Sequence, residues 1–535
     1  MNRSAFLQPI ISNSDKLLKI DTTGRRHWPP ANFQGMNMTV IGHWINGAPF
    51  ADTTRTQDVF NPATGQATRQ VALASKVTVE HAIANAQAAF PAWRNTPPGK
   101  RAQIMFRLKQ LLDQHSGEIC ALITDEHGKV LNDAAGELQR GIEVVEYMCG
   151  VPDLLKGEHS KNVGPAIDSW SERQALGVVA GITPFNFPAM VPLWIAIPAI
   201  ACGNTMVLKP SERDPSCMLL IAKLAKEAGL PDGVLNVVNG DKEAVDTLLT
   251  DTRIQAIGFV GSTAIAEYIY ATGCANGKRV KALGGAKNHA IVMPDADIDN
   301  AVTALMGAAY GSGGERCMAI SVAVAVGDAT ADALVSKLKE RLATLKVGPG
   351  TDNSNDMGPL ITRQHRDKVI GYIDSAEQQG ATVAVDGRGL AVPGHENGYF
   401  VGGTLLDHVT SEMKAYKEEI FGPVLCVVRV NSMAEAMQLI DDHEYGNGTC
   451  IFTRDGEAAR YFSDNIKVGM VGINVPLPVP VAYHSFCGWK RSAFGDNGMY
   501  GPDSVNFFTR RKTVTQRWPA GGVRETAQFT FPSNQ

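Results

Sequence analysis

The stretch from residue 177 to residue 260 most constrains the fold, because short apolar runs alternate there with single helical patterns. Residues 177–182, 205–208, 234–238 and 256–260 read as strands with almost no polar residue, as expected of strands covered on both faces. Between them, 190–202 reads as a buried helix, and 214–228 and 242–249 as amphipathic helices with apolar residues at three- and four-residue spacing. Strands joined through helices lie parallel, since a two-residue turn can only join antiparallel neighbours. Right-handed crossovers then wind such strands into a doubly wound α/β sheet.

A second α/β series begins near Gly284. Strands are predicted over 290–293 and 322–326, with helices over 298–309, 331–345 and 362–379. A chain of 535 residues exceeds what one core organises, so a domain boundary is expected at Gly284-Gly285. Upstream, 40–64 reads as short strands and turns, and 79–93 and 100–115 as helices. Nothing repeats at 20–50 residues, which excludes a solenoid or propeller. The last forty residues are rich in Arg, Thr and Phe, which suits an oligomerisation strand followed by a tail.

Composition removes several function classes. A net charge of -4 carries no nucleic-acid footprint. The longest apolar run, 190–202, is broken by Pro192 and Pro198 and is too short to span a bilayer, so no membrane association is expected. Nine cysteines without a C-x-x-C pair argue for a reducing compartment, the cytoplasm, and no metal site is expected. Residues 1–38 hold Arg3, Arg25, Arg26 and a Pro-Pro pair. They read either as a mitochondrial transit peptide, which would put the protein in the matrix, or as a flexible upstream extension ahead of Met36 or Met38.

One cysteine stands apart. Gly311-Ser312-Gly313-Gly314-Glu315-Arg316-Cys317 ends a glycine-rich loop, where the Cys317 N–H is expected to face a substrate oxygen and Arg316 to favour ionisation. A thiol of pKa ~8.5 is little ionised at neutral pH, yet its thiolate is a strong nucleophile. The other cysteines lie mostly in apolar runs and read as inert. A dinucleotide fingerprint is missing. Gly261-Ser262-Thr263, where a strand meets a helix, could present N–H groups to a pyrophosphate, or be a plain turn. Lys209 and Glu212 at a strand's end could hold a ribose diol, with Glu212 favouring NAD over NADP, or be a solvated pair.

Together with Asn61-Pro62-Ala63-Thr64-Gly65, Pro184-Phe185-Asn186-Phe187-Pro188, Leu283-Gly284-Gly285 and Glu418-Glu419-Ile420-Phe421-Gly422-Pro423-Val424, these segments resemble the aldehyde dehydrogenase superfamily over residues 40 to 517. The resemblance implies two Rossmann-type domains plus a small β oligomerisation domain. Its expected limits are 39–160 with 174–284 for the NAD-binding domain, 285–484 for the catalytic domain, and 161–173 with 485–517 for oligomerisation, leaving an extension over 1–38 and a tail over 518–535. It implies Cys317 as nucleophile and the Asn186 amide as oxyanion donor. Thr183, Pro184, Phe185, Lys209, Glu212, Arg213, Gly261, Ser262, Glu419 and Phe421 are implied as cofactor-binding residues.

The chain departs from the superfamily at Ala282, where hydrolytic relatives carry the glutamate that activates water, and at Ala266, where many carry a glycine. A methyl group accepts no proton. Ala282, Gly285-Ala286-Lys287-Asn288-His289 and Gly314-Glu315-Arg316-Cys317-Met318-Ala319 resemble the coenzyme A-acylating methylmalonate-semialdehyde dehydrogenase branch. The resemblance implies NAD-dependent oxidation of methylmalonate or malonate semialdehyde, loss of carbon dioxide, and propionyl- or acetyl-CoA as product. It also implies Arg140 and Arg316 as partners of the substrate carboxylate, where Arg140 read without the resemblance is a helix-surface salt bridge with Glu137 or Glu143, and a homotetramer with contacts near 171–173 and 506–512. The alternative is hydrolysis of the thioester to a free acid. His289 reads as structural.

Overall fold

The computed structural model describes residues 40–518 and two short strands, Lys19–Ile20 and Arg26–His27, which pair antiparallel with each other. Apart from that pair, the expected extension over 1–38 lies outside the described residues, as does the expected tail beyond Trp518.

The chain builds two large sheets. The first has eight strands in the order Ala493–Phe494, Arg279–Leu283, Ile254–Val260, Val178–Ile182, Thr205–Lys209, Leu235–Val237, His43–Ile45 and Ala48–Phe50. Its five middle strands are parallel, and antiparallel strands close its edges. Each of those five is buried at nearly every position, and four of them read as apolar runs; Arg279–Leu283, which carries Arg279 and Lys281, was not read as a strand. The helix Met190–Ala201 is buried at all twelve of its positions and packs against Leu131–Met148. The carboxylate of Glu137 accepts from the N–H groups of Ala189 (2.8 Å) and Met190 (3.2 Å), so donors left open at the helix start are satisfied from a neighbouring helix.

The second sheet has seven strands in the order Thr382–Val385, Thr404–Asp407, Val424–Val430, Ile320–Val326, Asn288–Val292, Gly448–Phe452 and Met470–Ile473. All pairings are parallel except the first. The last strand of the first sheet's parallel series ends at Leu283 and the first strand of the second begins at Asn288. A third, antiparallel sheet joins Thr509–Arg517 to Ile167–Ala175 and the latter to His159–Gly164. Among the described residues no helix is long and apolar enough to cross a membrane, and all nine cysteines are free thiols.

Several helices are not read from the sequence, among them Met433–Asp442, Gly456–Asn465 and two that adjoin each other. Ser116–His127 and Leu131–Met148 are separated by only three residues, and Gly128 turns the chain between them in the left-handed region (φ 94°). A side chain at Gly128 would also meet Pro359 at 2.7 Å. Two helices meeting at a glycine blur the periodicity of both.

Candidate active site

Val178–Ile182 pairs with Thr205–Lys209 on one side and Ile254–Val260 on the other, so the strand order reverses beside it. Ligands of doubly wound sheets bind outside the carboxyl ends of strands at such a point. Three of the expected clusters meet at these ends: Thr183, Pro184, Phe185 and Asn186 after the first strand, Lys209, Glu212 and Arg213 after the second, and Gly261 and Ser262 after the third. The Lys209 ammonium donates to Glu212 (2.9 Å) and to the Gly240 carbonyl (2.7 Å). Burial alone would raise the Glu212 carboxyl, but the charge and hydrogen bond of Lys209 hold it below its ordinary range. The Arg213 guanidinium lies over the Phe185 ring at 5.4 Å.

The residues present fit a dinucleotide. The helix Thr263–Ala275 starts at Ser262 with no side-chain cap, and Thr183 Oγ1 is buried without a partner. The Gly261 N–H is given to the Leu283 carbonyl (3.1 Å), so the N–H groups open to a pyrophosphate are those of the first turn of the helix.

The second sheet faces this edge with the amino ends of its strands. Cys317 lies just before Ile320–Val326, Asn288 opens Asn288–Val292, and Glu419 and Phe421 precede Val424–Val430. The loop leading to Cys317 holds three successive left-handed residues, Ser312, Gly313 and Gly314 (φ 54°, 64° and 71°). A side chain at Gly314 would sit 2.2 Å from the Gly422 carbonyl oxygen, so only glycine lets the nucleophile loop close onto the Phe421 segment. Phe421 is itself left-handed (φ 58°), its carbonyl accepts from His365 Nε2 (2.7 Å), and its ring meets Phe185 edge-on at 6.0 Å. Glu419 accepts from the Ala286 N–H (2.9 Å), and burial raises its carboxyl to about 7. Cys317, Glu419, Phe421, Asn288 and Ala286 line one recess.

Asn186 is buried, and its side-chain amide donates to the Glu315 carbonyl at 3.1 Å, two residues before the nucleophile. Its own carbonyl accepts from the Lys129 ammonium (2.5 Å), which is also paired with Glu137 (2.7 Å). An amide nitrogen has two hydrogens, so Asn186 keeps one for a substrate oxygen. The carbonyl of Cys317 accepts from both Asn288 (2.9 Å) and Asn447 (3.0 Å).

Both arginines are paired with carboxylates of the protein. Arg316 lines the recess, but its guanidinium pairs with Asp133 (2.7 Å) and reaches the Gly307 carbonyl (3.3 Å). Asp133 also accepts from the Ser312 N–H (2.8 Å), so it anchors both ends of the left-handed turn. With its charge shared, Arg316 does not dominate the thiol: burial of the sulphur, followed by the charge of Glu419, pushes Cys317 up to about 12. Arg140 pairs with Glu143 (2.6 Å) and donates to the Pro480 carbonyl (2.5 Å). The Tyr500 hydroxyl donates to the same carbonyl (2.6 Å), and burial raises its phenol above the ordinary range. His289 is buried against the Tyr416 hydroxyl (3.0 Å), as a structural side chain would be. Ala282 is fully buried among Ile257, Phe259 and Ile269.

Lys129, Glu137, Asp133, Asn288, Asn447 and His365 were not singled out from the sequence as parts of the site. Only the placement of Asn288 and Asn447 at the mouths of apolar runs carried a signal.

Comparison with known proteins agrees with this geometry. The aldehyde dehydrogenase family model matches residues 50–514. The chain is 68% identical over 496 residues to a malonate-semialdehyde dehydrogenase of Pseudomonas aeruginosa, covering 93% of this chain and 100% of that one. A crystal structure of a methylmalonate-semialdehyde dehydrogenase from Oceanimonas doudoroffii superposes with a TM-score of 0.90 at 73% identity, covering 91% of this chain and 100% of that one. A Sinorhizobium meliloti protein proposed to be a methylmalonate-semialdehyde dehydrogenase, solved with NAD, gives a TM-score of 0.90 at 53% identity over 91% of this chain and 100% of its own.

Proposed function

The chain belongs to the aldehyde dehydrogenase family, and from that premise we propose that it is an NAD-dependent, coenzyme A-acylating dehydrogenase of methylmalonate and malonate semialdehyde. The observation that carries the acylating half of this reading is Ala282. A methyl sealed among apolar side chains stands where a water-activating carboxylate is needed, so the acyl group leaves on a thiol.

Cys317 attacks the aldehyde carbon, and the spare Asn186 N–H and the Cys317 N–H receive the oxygen as it becomes anionic. One such donor contributes roughly 3–4 kcal/mol to the transition state. When bound across Lys209, Glu212, the start of the Thr263–Ala275 helix and Glu419, NAD supplies the two-electron acceptor for the oxidation. A thioester then remains on Cys317. Its β-carboxylate leaves as carbon dioxide, and the electron pair moves onto the thioester oxygen, where the same two N–H donors hold it until carbon takes a proton. Attack by the coenzyme A thiolate transfers the acyl group and returns Cys317. Arg140 is the partner for the substrate carboxylate, reached past Tyr500, and Arg316 shares that role once Asp133 yields part of its hold. The three-stranded sheet around Thr509–Arg517 is the contact through which four copies assemble, and the enzyme works in the cytoplasm.

Product analysis tests the reading. With malonate semialdehyde and NAD, NADH forms rapidly only when coenzyme A is present, acetyl-CoA accumulates, and Cys317→Ala forms none. Free acid made at the same rate without coenzyme A would favour the hydrolytic alternative and discard this one.

A further inference from the structure

Two asparagines that the chemistry above does not use converge on one atom beside the nucleophile. Asn288 and Asn447 come from the starts of adjacent parallel strands, Asn288–Val292 and Gly448–Phe452, and both are buried. Each spends its side-chain amide on the nucleophile segment. Asn288 donates to the carbonyls of Cys317 (2.9 Å) and Ala319 (2.9 Å), and Asn447 to the carbonyl of Cys317 (3.0 Å) and the sulphur of Met318 (3.1 Å). Asn288 is locked in turn, since its amide oxygen accepts from the Gly448 N–H (2.9 Å). The carbonyl of Cys317 thus has two donors, each from a different strand.

A peptide is planar and trans, so fixing its C=O also fixes its N–H, pointing the opposite way. The peptide held here joins Cys317 to Met318, and its N–H is that of Met318. Hydrogen bonding from that N–H, and in the substrate-free enzyme from the N–H of Cys317, opposes the effect of burial on the thiol. Donors on a carbonyl polarise the amide and strengthen its N–H as a donor, more so where water is excluded.

We propose that Asn288 and Asn447 are positioning residues for the nucleophile, aiming and polarising the Met318 N–H so that the Cys317 thiolate is favoured. This rests on Cys317 being the nucleophile. It answers the difficulty that Cys317 lies in a buried recess, beside a carboxylate and without the base found at position 282 in hydrolytic relatives. The charged and titratable groups whose fields act on the thiol are Glu419, Arg316 and Tyr500. None of them is altered by substituting Asn447.

The test is the pH dependence of alkylation of the full-length enzyme by iodoacetamide, read at Cys317 alone by peptide mass spectrometry because eight other thiols are present. Asn447→Leu keeps the branched shape of the side chain and removes both donors. The midpoint of the alkylation profile is expected to move upward, lowering the thiolate fraction at a given pH about tenfold, the effect of one hydrogen bond to a charged group. Asn447→Ser, whose hydroxyl is too short to reach the carbonyl, is expected to move it the same way and serves if the leucine variant does not fold. A merely structural role lowers thermal stability without moving the midpoint. A midpoint that stays in place in a folded variant overturns the proposal, whatever happens to the plateau rate. Because alkylation needs no substrate, that result leaves the assignment of Cys317 to be judged separately, by NADH formation in Cys317→Ala.

Discussion

Replacing Lys129 with methionine separates the stability of the active-site floor from its alignment. Lys129 and Glu137 are 1% and 3% exposed and lie 2.7 Å apart, so removing the ammonium leaves a carboxylate buried without its counter-ion. Breaking one partner of such a pair costs ~3–5 kcal/mol. At about 2–4 °C per kcal/mol the thermal midpoint should fall by roughly 6–20 °C, toward the lower end because the chain is long. The Asn186 carbonyl also loses its donor, so the oxyanion amide drifts, and kcat should fall at least about tenfold. The double variant Lys129→Met/Glu137→Gln removes the unpaired charge and keeps an acceptor for the Ala189 and Met190 N–H groups. Scanning fluorimetry should then show most of the midpoint restored, while steady-state NADH formation stays slow. If kcat returns together with the midpoint, the ammonium holds the fold and not Asn186, and the argument fails.

Two further expectations concern charge. Burial raises Glu419 to about 7, so it is largely protonated below that pH and becomes a full carboxylate acceptor above it. NAD affinity measured by fluorescence quenching should therefore strengthen as pH rises through about 7, and Glu419→Gln should flatten that dependence; equal slopes in the two proteins would separate Glu419 from the cofactor. Arg140→Met should raise KM for a carboxylate-bearing semialdehyde by about ten- to a hundredfold, the worth of a charge-assisted hydrogen bond, and leave KM for an uncharged aldehyde of the same length unchanged. A parallel rise for both aldehydes would make Arg140 a tie to the 479–480 loop and nothing more.

The sheets were legible because strands covered on both faces have nowhere to place polar residues. Residues 205–208 and 256–260 read as strands and lie within Thr205–Lys209 and Ile254–Val260. The nucleophile was legible for a different reason: Cys317 follows three glycines and two charged residues, a context that an inert core cysteine does not have. What supports it was hidden. Asn288 and Asn447 are separated by about 160 residues, and only the parallel pairing of their strands brings both amides to one carbonyl. Lys129 looks like any charged residue after a helix until Glu137 and Asn186 close around it. The Arg316–Asp133 pair was hidden in the same way, because proximity in sequence says nothing about which carboxylate a flexible side chain meets, and Asp133 lies on a helix almost two hundred residues upstream.

The edge of the first sheet has a consequence in time. Arg279–Leu283 is covered by Ala493–Phe494, a strand that follows it by more than two hundred residues. At ~5–20 residues per second on the ribosome, the interval between the two is roughly 10–40 s. During that interval a parallel strand with four of five positions destined for burial presents an open edge, the kind that pairs with other chains. Closure of this edge thus waits for a strand of two residues, and a slower message or a truncation before Ala493 should show itself first as aggregation rather than as lost chemistry.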